Sequence, residues 1–276
     1  MTERSIDQIV SPVPTSDGAG VKIKRAIGTP TLDHLDPFLL LDLFGSEDGA
    51  DYIAGFPDHP HRGFETVTYM LAGKMRHRDN AGNEGLLGSG GAQWMTAGRG
   101  LVHSEMPEQT DGLMKGFQLW VNLPASQKMI APRYQDINPE EIPVKELDGI
   151  GTLKVIAGDL FGVTGPVSEI ATKPLFIDLD LKPDQEIDIP IAQGKTAFMF
   201  IFEGTIHVDG ETVETDRLVI LEDGDQVSVK AGLNGGRFIL LAADPIKEPI
   251  ARYGPFVMNT QEEIYQAFDD FRAGKF

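Results

Sequence analysis

The chain of 276 residues carries 42 acidic and 24 basic side chains, a formal charge of −18, and no cysteine. That balance excludes disulfide staples, thiolate metal sites and cysteine nucleophiles, and it speaks against direct binding to nucleic acid or anionic membrane. A hydrophobic fraction of 41% is enough for a real core, while 31 glycines and 18 prolines suit short strands joined by turns rather than a helical bundle.

The opening residues Met1-Thr-Glu-Arg-Ser form no basic-then-apolar leader, and no run approaches the roughly 18 apolar residues of a membrane span. A cytoplasmic location is therefore expected. Strand-like segments follow at 21–26, 38–44, 65–71, 93–96 and 116–122, separated by Gly, Asp, Asn and Pro. The run 88–91, Gly-Ser-Gly-Gly, lacks the spacing of a phosphate cradle and reads as a hairpin loop. A proline-containing stretch over 123–143 reads as a linker with a short helical turn.

The second half repeats the pattern at 175–181, 196–202, 205–208, 217–221, 226–229 and 238–242. Each half has an apolar strand that runs into glycine and re-enters another strand, Tyr69-Met-Leu-Ala-Gly73-Lys-Met and Phe200-Ile-Phe-Glu-Gly204-Thr-Ile. Two β-rich halves of similar length predict a duplicated barrel, with domains over 1–140 and 141–276. The end differs. Thr260 and Glu263 have capping-box spacing, Ile264, Ala267, Phe268 and Phe271 recur at helical spacing, and Gly274 lies just past the last turn. An amphipathic helix is expected there, closing the second domain and docking on a barrel.

Five of the six histidines lie in the first 103 residues. His59 and His61 stand two apart, so in a strand both imidazoles point to one face. Forty-odd residues on, His103 and Glu105 repeat that spacing with two more ligand types. Two adjacent strands presenting these pairs would converge four ligands on one ion. Three imidazoles and a carboxylate suit Fe(II), Mn(II), Ni(II), Cu(II) or Zn(II), with positions left for water or substrate. Spacing alone leaves Glu65 open as the carboxylate.

The pattern Gly55-x3-His59-x-His61-x3-Glu65-x7-Gly73 resembles the first cupin motif, and 91–105 sits where the second belongs, with altered glycine spacing and no proline. Three longer strings resemble the pirin family: Phe56-Pro-Asp-His-Pro-His-Arg-Gly-Phe-Glu-Thr-Val, Gln93-Trp-Met-Thr-Ala-Gly-Arg-Gly-Leu-Val-His-Ser-Glu and Gly254-Pro-Phe-Val-Met-Asn-Thr. Asp36-Pro-Phe-Leu-Leu-Leu-Asp42 is similar to that family as well, and the likeness runs from about residue 20 to the end. It implies an all-β bicupin, two antiparallel jelly-roll-like sandwich barrels with a C-terminal helix. The first barrel is expected to hold one divalent metal ion, Fe(II) before the alternatives, on His59, His61, His103 and Glu105. Glu65 then becomes a supporting or strand residue.

Counting back from Gly204 as from Gly73, the places of His59 and His61 fall on Pro190 and Ala192, and His207 has no partner. The second barrel is expected to be structural. Of the remaining candidates, His77 reads as a surface residue near the metal mouth. Arg62 and Arg99 could orient an anion or serve turns. Phe56, Phe64, Trp94, Met95, Met106 and Trp120 belong to a pocket or to the core.

The resemblance implies an oxidoreductase of quercetin 2,3-dioxygenase type, opening a flavonol or related enol or phenol with O2, in which Glu105 would take the 3-hydroxyl proton. The competing implication is a metal-dependent regulator that binds a transcription factor or metabolic enzyme without catalysis.

Overall fold

The computed structural model describes residues 2–276, and its strands and single α-helix form two compact units. The first unit comprises residues 13–139 and Ile246–Phe276. Its larger sheet has seven antiparallel strands in the order Arg133–Ile137, Ala92–Thr96, Phe64–Ala72, Met114–Asn122, Phe38–Ser46, Val21–Ile27 and Val13–Asp17. Its smaller sheet runs Phe56–His61, Leu101–Pro107, Met75–Asp79 and Glu84–Leu87. Side chains alternate along each strand. Thus Leu40, Asp42 and Phe44 share one face with Gln118 and Trp120 and with Ile23 and Arg25, and together with His59, His61 and Glu105 of the smaller sheet they line one cavity.

The C-terminal helix Gln261–Arg272 begins on the expected capping box: Glu263 N donates to Thr260 Oγ1 at 3.2 Å, and Thr260 N donates to Glu263 Oε2 at 2.9 Å. Ile264 and Ala267 bury against Phe256 and Met258 of the hairpin that precedes the helix. The helix therefore belongs to the first unit, whereas the sequence pattern attached it to the second half. Backbone approach fixes this docking. Val257 N donates to Arg62 O at 3.0 Å, and a side chain on Gly63 would place its Cβ 2.0 Å from Val257 O, so only glycine, here at φ +87°, fits.

The second unit comprises residues 2–12 and Glu140–Pro245. Its nine-stranded sheet is ordered Ile6–Val10, Arg217–Leu221, Thr196–Val208, Gln226–Ala243, Leu175–Leu181, Gly151–Ala157 and Val144–Leu147, with Glu186–Pro190 and Glu211–Glu214 paired beside it. The N-terminal segment joins it through the Ile6–Val10 strand and through Arg4, whose fully buried guanidinium donates to the carbonyls of Ala192, Lys195 and Glu222. The partition thus differs from 1–140 and 141–276 at both ends, because each terminal segment pairs with strands remote in sequence.

Segments expected as separate strands at 196–202 and 205–208 form one strand, bent where the register shifts around Gly204. The interior is apolar throughout, with Ile189, Ile191, Ile201, Val219, Phe238 and Leu240 buried together. His207 lies in a strand with Nδ1 3.0 Å from Thr212 Oγ1. Among the described residues, no helix is long and apolar enough to cross a membrane.

Candidate metal centre

The Phe56–His61 and Leu101–Pro107 strands pair antiparallel with His59 opposite His103 and His61 opposite Leu101. This brings three imidazoles to one point. Ring centres are 4.4 Å apart for His59 and His103, 4.6 Å for His59 and His61, and 5.1 Å for His61 and His103. One ring nitrogen from each lies within 4.8 Å of the others. Nitrogens sharing one ion at about 2.1 Å stand about 3 to 3.5 Å apart, so small ring rotations suffice.

The donor set fits a metal on a second count. His61 and His103 are 3% and 1% exposed, yet His61 Nδ1 and both nitrogens of His103 have no hydrogen-bond partner. Each such orphan costs about 1–3 kcal/mol, and an ion would answer one on each ring. His59 Nδ1 is 2.8 Å from the Pro57 carbonyl, which fixes that nitrogen as the N–H and leaves Nε2 to a metal. Burial, reinforced by the neighbouring imidazoles, pushes His61 and His103 well below the ordinary histidine range. They are neutral, the form that ligates.

Glu105 is placed beside this set rather than in it. Its Oε1 accepts from Thr68 Oγ1 at 2.9 Å and lies 3.4 Å from His77 Nδ1. Its Oε2 takes no hydrogen bond from any described residue, and the side chain lines the same cavity as His59 and His61. The Thr68 hydroxyl also reaches the Gln118 amide at 2.8 Å, so Glu105 is held from the larger sheet. Glu65 sits elsewhere, buried in that sheet, with Oε1 accepting from Thr96 Oγ1 at 2.7 Å; burial pushes its pKa up.

The cavity measures about 680 Å³. Trp120 and Phe56 stand in its wall, and Phe64 packs edge-on to His61 with ring centres 5.0 Å apart. Trp94 and Met95 are buried in the larger sheet instead. Arg62 does not line this cavity. It donates to Arg99 O at 2.6 Å, pairs with Asp270 at 2.9 Å and lies 4.3 Å over the Phe276 ring. Arg99 is exposed, and its backbone N–H donates to Ile130 O.

A family model described as Pirin matches residues 20–121, and one described as Pirin C-terminal cupin domain matches residues 176–276. A pirin-like protein of Caulobacter vibrioides is 50% identical to this chain across the full length of both. The chain belongs to the pirin family. A second relative of this pirin, from Pseudomonas aeruginosa, is 48% identical over 95% of this chain and 94% of its own, and its name assigns it quercetin 2,3-dioxygenase activity provisionally. Among solved structures, a quercetin 2,3-dioxygenase from Acinetobacter baumannii superposes with a TM-score of 0.91 at 33% identity, covering 99% of this chain and 98% of its own.

Two features of this pirin escaped the sequence reading. His77 is buried at 3% exposure opposite Glu105 in the sheet register, with both ring nitrogens unpartnered, and it borders a separate cavity of about 320 Å³. Strict alternation in Met75-Arg-His-Arg is the signal that could have found it, since Met75 and His77 are the inward pair. Arg25 and Asp42 form a bidentate pair in the main cavity wall, at 2.8 and 2.7 Å, from positions 17 apart.

Proposed function

We propose that this pirin is a metal-dependent dioxygenase that opens a flavonol, or a related enol or phenol, with O2. The observation that carries the reading is the convergence of His59, His61 and His103, the first two of which line a cavity that also holds a carboxylate and an aromatic wall. His59, His61 and His103 would hold one divalent ion, with Glu105 completing the set after a side-chain rotation; Fe(II) is the metal proposed. When bound, such an ion supplies Lewis acidity and open coordination positions.

The chain's own residues do the rest. Trp120 and Phe56 give the cavity an aromatic wall against which a planar substrate packs. His59 is oriented by the Pro57 carbonyl, which keeps its ligating nitrogen unprotonated. In its present rotamer, before any rotation toward the ion, Glu105 has Oε1 tied to Thr68 and accepts the proton of the substrate's 3-hydroxyl at Oε2, which leaves the enolate oxygen as the reacting group.

The test is quercetin turnover by freshly isolated, metal-analysed protein with and without O2, with carbon monoxide measured as co-product. Turnover that is the same under anaerobic conditions, or that proceeds without carbon monoxide, sinks the reading.

A further inference from the structure

Two arginines stand in the cavity wall, and their surroundings differ. Arg25 is paired with two carboxylates: Nε and Nη2 donate to the two oxygens of Asp42, and Nη2 also reaches Asp17 at 2.6 Å. Arg252, on the short strand Ala251–Tyr253, has only one hydrogen bond among the described residues, from Nη1 to Leu39 O at 3.1 Å, and no ion pair. Its guanidinium carbon lies 4.9 Å from the centre of the Trp120 ring, and that ring in turn meets His61 at 5.3 Å. The indole thus runs from the histidine cluster to an arginine with donors to spare.

A half-buried guanidinium has lost part of its hydration and regains the equivalent only from an acceptor, best an anionic one taken bidentately. Burial, reinforced by the charge of Arg25, pulls Arg252 below the ordinary arginine value despite the opposing charges of Asp33, Asp42 and Asp17, as expected of a cation short of anionic contact. A cavity of about 680 Å³ accommodates a ligand long enough to touch both ends.

We propose that Arg252 determines specificity in this cavity, and that its ligand is an anion: a planar enol or phenol that meets the histidine cluster with one oxygen and presents an ionised oxygen, such as a carboxylate, to Arg252 at its far end. The proposal rests on the enol or phenol substrate class put forward above and adds its charge.

Binding is measured on protein loaded with Zn(II), which has no redox chemistry, by quenching of Trp120 fluorescence. The probes are flavonol, flavonol carrying a carboxylate on its outer phenyl ring (meta and para isomers), and the methyl esters of those acids. At least one acid is expected to bind tenfold or more tightly than flavonol and its own ester. Arg252→Gln is expected to erase that difference, and Arg252→Lys to keep part of it. Equal affinities for acid, ester and flavonol in the unmodified protein overturn the proposal, as does a preference that survives Arg252→Gln. Should that variant not fold, the ester comparison and Arg252→Lys decide, with an undiminished preference in the lysine variant counting against the role of the guanidinium. None of these readouts involves O2, so a failure of the dioxygenase reading and a failure here are separate results.

Discussion

His59 and His103 face each other across two antiparallel strands, with ring centres 4.4 Å apart and His103 wholly withdrawn from water. Both His103 nitrogens lack partners, so the metal-free protein carries unmet polar atoms in its interior. Replacing His103 with leucine is expected to stabilise the chelator-treated protein by about 1–2 kcal/mol, because the orphans disappear. The same change is expected to abolish the metal-dependent gain, about 2.7 kcal/mol for the unmodified protein at a hundredfold excess of metal over Kd. Urea midpoints with EDTA and with added metal check both; a variant that metal stabilises as much as before contradicts the assignment.

The same burial makes a pH prediction for the chelator-treated protein. His61 and His103 have folded pKa values well below the ordinary 6.5, so below pH 6.5 the unfolded chain takes up protons that the folded chain does not. Their contribution is at its most favourable above pH 6.5 and is lost as pH falls from there towards their folded values. Urea midpoints between pH 8 and 5 are expected to fall for the unmodified protein and to fall less for a His61→Leu, His103→Leu double variant. Parallel slopes would falsify the claim that these two imidazoles are buried neutral.

Glu105 separates binding from chemistry. Glu105→Gln keeps shape and the Thr68 contact but cannot take a proton, so turnover of quercetin is expected to drop about 100-fold or more. Thr68→Val leaves the carboxylate but frees its orientation, and a loss of about tenfold is expected, with metal content unchanged in that variant. Steady-state kinetics beside metal analysis distinguish the two. A Glu105→Gln protein that is metal-loaded and fully active removes Glu105 from the reaction.

The residue pattern reveals parts of this centre and hides others for identifiable reasons. Two ligand-type residues at i and i+2 are visible because a strand has period two, and His59, His61 and His103 converge accordingly. Glu105 is displaced from the simple picture because the Phe56–His61 strand has an extra residue between its partners, so Glu105 lies opposite Phe56 on one side and His77 on the other. The capping box announced the helix but not the unit on which it docks, since that depends on Gly63 meeting Val257 and Arg62 meeting Asp270 in space. The Ile6–Val10 strand was unreadable for a similar reason: three of its five residues are exposed, and its partner lies more than 200 residues away. Arg252 could not be singled out at all, because what distinguishes it is the acid it does not meet.

Arg25 and Asp42 make a stability prediction whose sign depends on pH. Asp42 is buried, which pushes its pKa up to about 6 even though Arg25 favours the ionised form. Arg25→Met removes that opposition and leaves a buried carboxylate, at a cost of about 3–5 kcal/mol at pH 7.5. Protonation relieves an unpaired acid, so the deficit relative to unmodified protein is expected to shrink at pH 5. Urea midpoints at the two pH values check this, and a deficit that is the same or larger at pH 5 contradicts a buried, charged Asp42.

Lys128 is the fastener between the connection that follows His61 and the C-terminal segment. It is buried, and its three donors reach Gly63 O at 2.8 Å, Asn122 Oδ1 at 2.8 Å and Val257 O at 3.0 Å. Burial lowers its pKa to about 8, so the ammonium is held by those three acceptors at some cost. Gly63 lies two residues beyond His61, and Val257 two beyond Pro255, which lines the cavity. Lys128→Met preserves length but removes the ammonium from two carbonyls and leaves the Asn122 amide oxygen with only the Leu123 N–H, a loss of about 2–4 kcal/mol. Because the lost bonds tie the C-terminal segment down, amide exchange is expected to accelerate most in 255–264 and at Gly63, with the second unit unaffected. An even acceleration across both units would mean that Lys128 contributes only bulk stability and does not fasten the cavity wall to the connection that follows His61.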